Sequence, residues 1–441
     1  MHPVRVVAGS NPKASDGKYV VSENWTGLRL EVELGNPGHG GFCVARYDGR
    51  VLFVRHGLPG ERVVAHVTED RGGSFCRADV VEVIEPSPDR VDPLCPIAGP
   101  GGAGCCDYSH ATLEAQRALK GTVVAEQLRR IAGLDLDVAV EELPGTGHGA
   151  GWRSRVRLAV DAAGRPGFRR FRSNDIETLL ACPQIDASAY AGLAERSWEP
   201  GSEVQVVLDA DGVRHVVEIA PAKISRTGRR SPGRRGATAR RAAAATSRAE
   251  RVVIGSGRAV ERVGDREWTL SATGFWQAHR SAAQTYSAVV GEWAQASPGA
   301  AVWDLYGGVG VFAATLADQV GETGRVESVE FSHTAVADGS AALADLPQVR
   351  LHAARVERAL RDLPAPEVVV LDPPRAGAGR DVVEALAAAG PERIVHVGCD
   401  PASFARDIAL YREQGFTLAQ VRVFDAFPLT HHMESLALLT R

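Results

Sequence analysis

Residues 301–319 read AVWDLYGGVGVFAATLADQ, and the pattern changes twice within them. Residues 301–305 are a strand-like apolar run, Gly307, Gly308 and Gly310 break it, and 311–319 carry helical spacing. Glycines let a backbone approach a ligand and leave helix N-terminal amides free. Such a turn also serves plain strand-to-helix packing, so a second feature has to decide. Glu330 supplies it, ending the next strand-like run, where a carboxylate can accept bonds from both ribose hydroxyls. Turn and acid together imply an adenosine-containing cofactor, without separating a nicotinamide cofactor from S-adenosylmethionine.

Strands and helices alternate outward from this stretch to the C-terminus, which predicts a doubly wound α/β sheet with its ligand site at the strand ends. LDPPRAG (371–377) puts Asp372 at one such end, and Pro373-Pro374 freezes the turn behind it. VGCDPASFARD (397–407) puts Cys399 at the next. A lone cysteine is usually a small buried hydrophobe, but here it shares an edge with Asp372 and the glycine turn. Glu434, in FPLTHHMES (427–435), opens the last strand near the same edge, and a thiol nucleophile needs a base partner.

The 441 residues are 44% hydrophobic and 24% charged, with no apolar run of the roughly 18 residues a membrane helix needs. The N-terminus lacks the apolar core of a secretory leader, and an odd set of seven scattered cysteines fits a reducing compartment. The expected location is the cytoplasm. Net charge is −4, yet nine arginines fall between Lys223 and Arg251 against one acid, Glu250.

Upstream, residues 1–25 read as a flexible tail. Residues 26–87 alternate with the two-residue period of half-buried strands and predict a small β-barrel, either a plain module or an oligonucleotide-binding surface. Residues 88–268 predict a mixed α+β middle domain with a basic insertion near 223–251, and residues 269–441 the α/β domain. In WRSRVRLAVD (152–161), Arg153, Arg155 and Arg157 alternate with apolar residues, which predicts three guanidinium groups on one RNA-facing side.

DLYGGVGVF, LDPPRAG, VGCDPASFARD and FPLTHHME, with GFWQAH upstream, together resemble the S-adenosylmethionine-dependent RNA (uracil-5-)-methyltransferases. The N-terminal strands resemble the TRAM domain of the ribosomal RNA branch. The resemblance implies a Rossmann-like class I methyltransferase domain behind an OB-like barrel. It implies Cys399 as nucleophile and Glu434 as general base, with Gln277, Tyr306, Glu330 and Asp372 contacting the methyl donor. The expected product is 5-methyluridine in RNA, ribosomal 23S RNA foremost, made by a monomer. The alternatives are an RNA-binding or folding factor with weak or lost catalysis, or methylation of a different base or of tRNA.

Three departures from the family pattern stand out. Val311 and His279 replace asparagines, leaving more of the cofactor recognition to Gln277 and Glu330. Asp400 follows Cys399 and opposes thiolate formation unless it is paired. Relatives carry an iron–sulfur cluster on four cysteines; here Cys95, Cys106 and Cys182 fit the pattern, Ala103 takes the remaining place, and neighbouring Cys105 could substitute only with rearrangement. The expectation is against an intact cluster, and no metal is assigned to the catalytic site.

Overall fold

The computed structural model describes residues 6–7, 24–145, 147–222 and 248–441. The expected tail and basic insertion fall mostly outside the described residues.

The N-terminal sheet comprises β1 (Val6–Val7), β2 (Arg29–Glu33), β3 (Pro37–Gly38), β4 (Phe42–Tyr47), β5 (Arg50–Arg55), β6 (Arg62–Asp70) and β7 (Phe75–Glu85), in the order β1-β2-β6-β7-β5-β4-β3. Asp48 and Gly49, at φ 43° and 75°, make the two-residue turn between β4 and β5. Gly35 N donates to Val44 O at 2.8 Å and Val44 N to Asn36 O at 3.0 Å. These bonds tie the chain after β2 back onto β4 and close the sheet around Leu30, Leu52, Val54 and Val63.

A helix, α1 (Leu113–Gln127), and a short strand, β8 (Val140–Glu142), lead to a six-stranded antiparallel sheet. Its strands are β9 (Arg155–Val160), β10 (Pro166–Arg169), β11 (Ile176–Glu177), β12 (Glu203–Leu208), β13 (Arg214–Ile219) and β14 (Glu250–Ile254), followed by the hairpin β15 (Arg258–Val263) and β16 (Arg266–Ser271). The expected RNA-facing arginine row is not present. Arg155 is buried and donates to Glu261 Oε1 at 2.5 Å, and Arg153 donates to the Arg155 carbonyl at 2.7 Å. Hairpin residue Glu261 covers Arg155, Arg153 is half-buried, and the Arg157 side chain is 48% exposed.

The C-terminal sheet contains β17 (Ala301–Leu305), β18 (Arg325–Glu330), β19 (Val349–Ala353), β20 (Val368–Leu371), β21 (Arg393–Gly398), β22 (Thr417–Asp425) and β23 (Glu434–Thr440). Their order is β19-β18-β17-β20-β21-β23-β22-β8, parallel from β19 to β21, with β23 running antiparallel. The chain order reverses between β17 and β20, and that reversal opens a crevice at the strand C-termini. Alternate residues bury on opposite faces: Val302 and Val370 pack with Trp293 and Leu316, Trp303 and Val369 with Leu386 and Ile408. Each fully buried Val or Leu contributes about 1.5–3 kcal/mol, so the strands are anchored on both sides. Although α1 and β8 lie in the 88–268 stretch, Val124 of α1 joins this core and β8 pairs with β22.

Candidate active site

The turn after β17 is shaped by contacts that exclude larger side chains. A Cβ on Gly307 would stand 2.3 Å from Ser328 Oγ and 2.4 Å from Asp304 Oδ2. Tyr306, Gly308 and Gly310 adopt φ of 59°, 57° and 79°, in the left-handed region. A Cβ on Gly308 would meet nothing within 4 Å, so the turn leaves open space above it. At the end of β18, Glu330 accepts from Gly308 N at 3.3 Å and from Ser332 N at 2.6 Å. The carboxylate is thereby fixed beside that space.

Asp372 follows β20, and its amide donates to the Leu305 carbonyl at 3.2 Å. Its Oδ2 accepts from Gln277 Nε2 at 3.5 Å. Burial, with the charge of Asp304 behind it, pushes the Asp372 carboxyl up to about 7.

Cys399 follows β21 and is half-buried. Burial first, then the charges of Glu434 and Asp372, push its thiol up to about 12, while Arg375 pulls the other way. Asp400 adds to the upward push less than either of those acids. It is also paired, as the sequence required of it: His39 Nε2 lies 3.1 Å from Asp400 Oδ2, and the amides of Ala402 and Ser403 donate to Oδ1 at 3.1 and 2.9 Å. Burial alone would raise the Asp400 carboxyl, but His39 and the Ser403 amide outweigh it and hold the group at about 2. Asp400 is thus the N-cap of the helix Pro401–Glu413.

Glu434 is 3% exposed, and its Oε1 has no hydrogen-bond partner among the described residues. Burial, then the charge of Asp372, pushes its carboxyl well above the usual range. An unpaired buried oxygen is costly, and this one borders open space. Gln277, Tyr306, Glu330, Asp372, Cys399 and Glu434 all line one cavity of about 650 Å³. Of the departures, Val311 lines the cavity too. His279 is not among its lining residues and stacks on Trp152, with ring centroids 5.6 Å apart.

With this geometry in place, comparison with known proteins is informative. The tRNA (uracil-5-)-methyltransferase family profile matches residues 262–441, and the TRAM domain profile matches 26–81. An uncharacterized RNA methyltransferase of Corynebacterium efficiens is 44% identical over 94% of this chain and 95% of its own. The 23S rRNA (uracil(1939)-C(5))-methyltransferase RlmD of Alkalilimnicola ehrlichii is 32% identical over 93% of this chain and 96% of its own. The chain belongs to the RNA (uracil-5-)-methyltransferase family. The fold agrees: the solved Pyrococcus abyssi tRNA (uracil-54, C5)-methyltransferase superposes with a TM-score of 0.68, at 19% identity, over 93% of this chain and 100% of that one.

In this methyltransferase the segment leading to Glu434 is held by residues that sequence reading missed. Lys120 on α1 is fully buried and ion-pairs with Asp425 at 2.5 Å, while Gln116 Oε1 accepts from Leu429 N at 2.7 Å. Asp107 bridges Arg55 of the barrel, at 2.6 Å, and His431, at 2.5 Å. With His39 on Asp400, the barrel therefore touches both sides of the thiol–carboxyl pair. No local signal marks these residues, because the partners that define them are far away in the chain.

Proposed function

We propose that this enzyme methylates carbon 5 of a uridine in RNA, in 23S ribosomal RNA, with S-adenosylmethionine as donor. The observation that carries the reading is the convergence of Cys399, Glu434 and Asp372 with the Glu330-capped glycine turn on one cavity. The open space over Gly308, which any side chain would fill, and the fixed Glu330 carboxylate suit an adenosine ribose. Gln277, Tyr306 and Asp372 would complete the hold on the donor, whose contribution is an electrophilic methyl group.

The chain's own groups do the rest. Cys399 gives up its thiol proton to water in the cavity, its Sγ adds to carbon 6 of the uracil, and the electron pair of the 5,6 double bond moves into an enolate with charge on carbon 5. Carbon 5 then takes the methyl group, and the electron pair of the broken sulfur–methyl bond stays on the donor's sulfur, which leaves as a neutral thioether. Glu434 removes the remaining carbon 5 proton, the double bond re-forms, and the thiolate leaves. Glu434 Oε1, buried without a partner among the described residues, is suited to this role because the transferred proton completes its bonding. Arg375, the cation acting against the upward push on both groups, favours their ionised forms. A stacked uridine cannot present carbon 6, so the target is flipped out or lies in a loop. The enzyme acts as a cytoplasmic monomer.

Incubation with labelled methyl donor and separate pools of 23S rRNA and tRNA, followed by digestion to nucleosides, tests the reading. Labelled 5-methyluridine from 23S rRNA is the expected result; label only in tRNA moves the substrate, and label in no pool counts against the activity.

A further inference from the structure

The family resemblance implies an iron–sulfur cluster, and the residues present do not fit it. Ala103, in the fourth ligand's place, is 2% exposed and packs in the same apolar cluster as Cys95, Cys106 and Cys182. The spacing of the thiols is also wrong. Sγ atoms of Cys95, Cys106 and Cys182 all lie within 4.8 Å of one another. A cubane takes each thiolate on a different iron, which spreads the ligand sulfurs further apart than ligands sharing one ion. Thiolates around one tetrahedral zinc, at a Zn–S length of about 2.3 Å, stand about 3.8 Å apart.

Cys105 is the side chain that changes the count. Its Sγ lies 4.0 Å from Cys106 Sγ but stands outside the group that Cys95, Cys106 and Cys182 form within 4.8 Å. We propose that Cys95, Cys106 and Cys182 hold a single thiophilic divalent ion, zinc by its chemistry, in place of an iron–sulfur cluster, with Cys105 turning its side chain in to supply the fourth sulfur.

The surroundings are built for negative sulfur. Gln184 Nε2 donates to Cys106 Sγ at 3.2 Å, and its Oε1 accepts from Arg153 Nη1 at 2.9 Å, so the amide is aimed by a guanidinium. Outer donors of this kind orient metal thiolates and offset their charge. The site would also serve the active centre: Asp107, which bridges Arg55 and His431, directly follows Cys106. An ion on Cys105 and Cys106 would fix the loop that ties the barrel to the segment before Glu434.

The test uses the full-length protein. Metal and acid-labile sulfide are measured after aerobic and anaerobic purification, and metal-stripped, reduced protein is titrated with Co(II). The site predicts about one zinc per chain, no sulfide, and the intense visible band of tetrahedral Co(II) tetrathiolate, saturating at one equivalent. Cys105→Ser should weaken Co(II) binding about tenfold or more, while Cys76→Ser, in the barrel core, leaves it unchanged. Iron with matching sulfide in the anaerobic preparation would overturn the proposal. So would absence of both zinc and the Co(II) band in folded wild type, or an unchanged Co(II) spectrum in folded Cys105→Ser. If that variant does not fold, the wild-type spectrum decides, because four-sulfur and three-sulfur Co(II) sites differ in band position and intensity.

Discussion

Two groups of cysteines in this chain sit in opposite electrostatic settings. Cys399 stands among carboxyls, with Glu434 and Asp372 pushing its thiol up to about 12. Cys106, with Cys95 and Cys182 around it, sits instead beneath an amide that the half-buried guanidinium of Arg153 aims at its sulfur. The first setting keeps a thiol protonated until a substrate arrives; the second places a hydrogen-bond donor where a bound ion would need the charge of its sulfur ligands offset. One side chain therefore supplies either a poised nucleophile or a scaffold, according to the charges placed around it.

The largest effect expected from breaking this contrast is at the nucleophile. Cys399→Ala should lower methyl transfer by at least about 10³-fold, whereas Cys105→Ala should leave the chemical step measurable; single-turnover assays on labelled RNA distinguish them. Glu434→Gln should lower turnover by about 10²–10⁴-fold. Because elimination needs the carbon 5 proton removed, this variant should also accumulate a covalent protein–RNA species on denaturing gels.

A pH series sharpens the comparison. A thiol raised to about 12 exposes little thiolate at neutral pH, so alkylation of Cys399 in the free enzyme should rise about tenfold per pH unit from pH 7 to 10. An alkylation rate at Cys399 that levels off below pH 9 would contradict that setting. Smallest is the effect of His39→Ala, which removes one donor from Asp400 and leaves its charge less offset beside the thiol. Methyl transfer should fall about two- to fivefold, the size of a half-exposed ion pair, and His39→Ala/Asp400→Asn should recover it. Loss without recovery would mean that His39 acts through folding alone.

Much of this was legible in the sequence because it is local. The strand–glycine–helix signature at 301–319, the alternation in β2 and the Asp48-Gly49 turn each express their structure within a few residues. Five of the six cavity residues stand at strand ends that the C-terminal sheet brings together, whereas Gln277, in the loop after β16, was legible only through the family resemblance. The edge strand β19 and the helix His333–Ala342 were not foreseen; β19 is only partly buried, so its pattern is weak. Asp107, Lys120 and His39 were illegible as site residues for a different reason. Their partners lie hundreds of residues away, so only the folded chain shows that Lys120 meets Asp425 or that His39 meets Asp400. The arginine row failed on the same ground, because Glu261 comes from a hairpin that the strand's own pattern does not announce.

The central claim is a covalent bond between Cys399 and carbon 6 of the target uracil, and RNA carrying 5-fluorouridine tests it most directly. Fluorine cannot leave as a proton, so elimination stalls after methyl transfer. Wild-type enzyme with S-adenosylmethionine should form a denaturation-stable adduct that peptide mapping places on Cys399, and Cys399→Ala should form none. An adduct on another residue, or methylation of ordinary RNA by Cys399→Ala at the wild-type rate, would contradict the account.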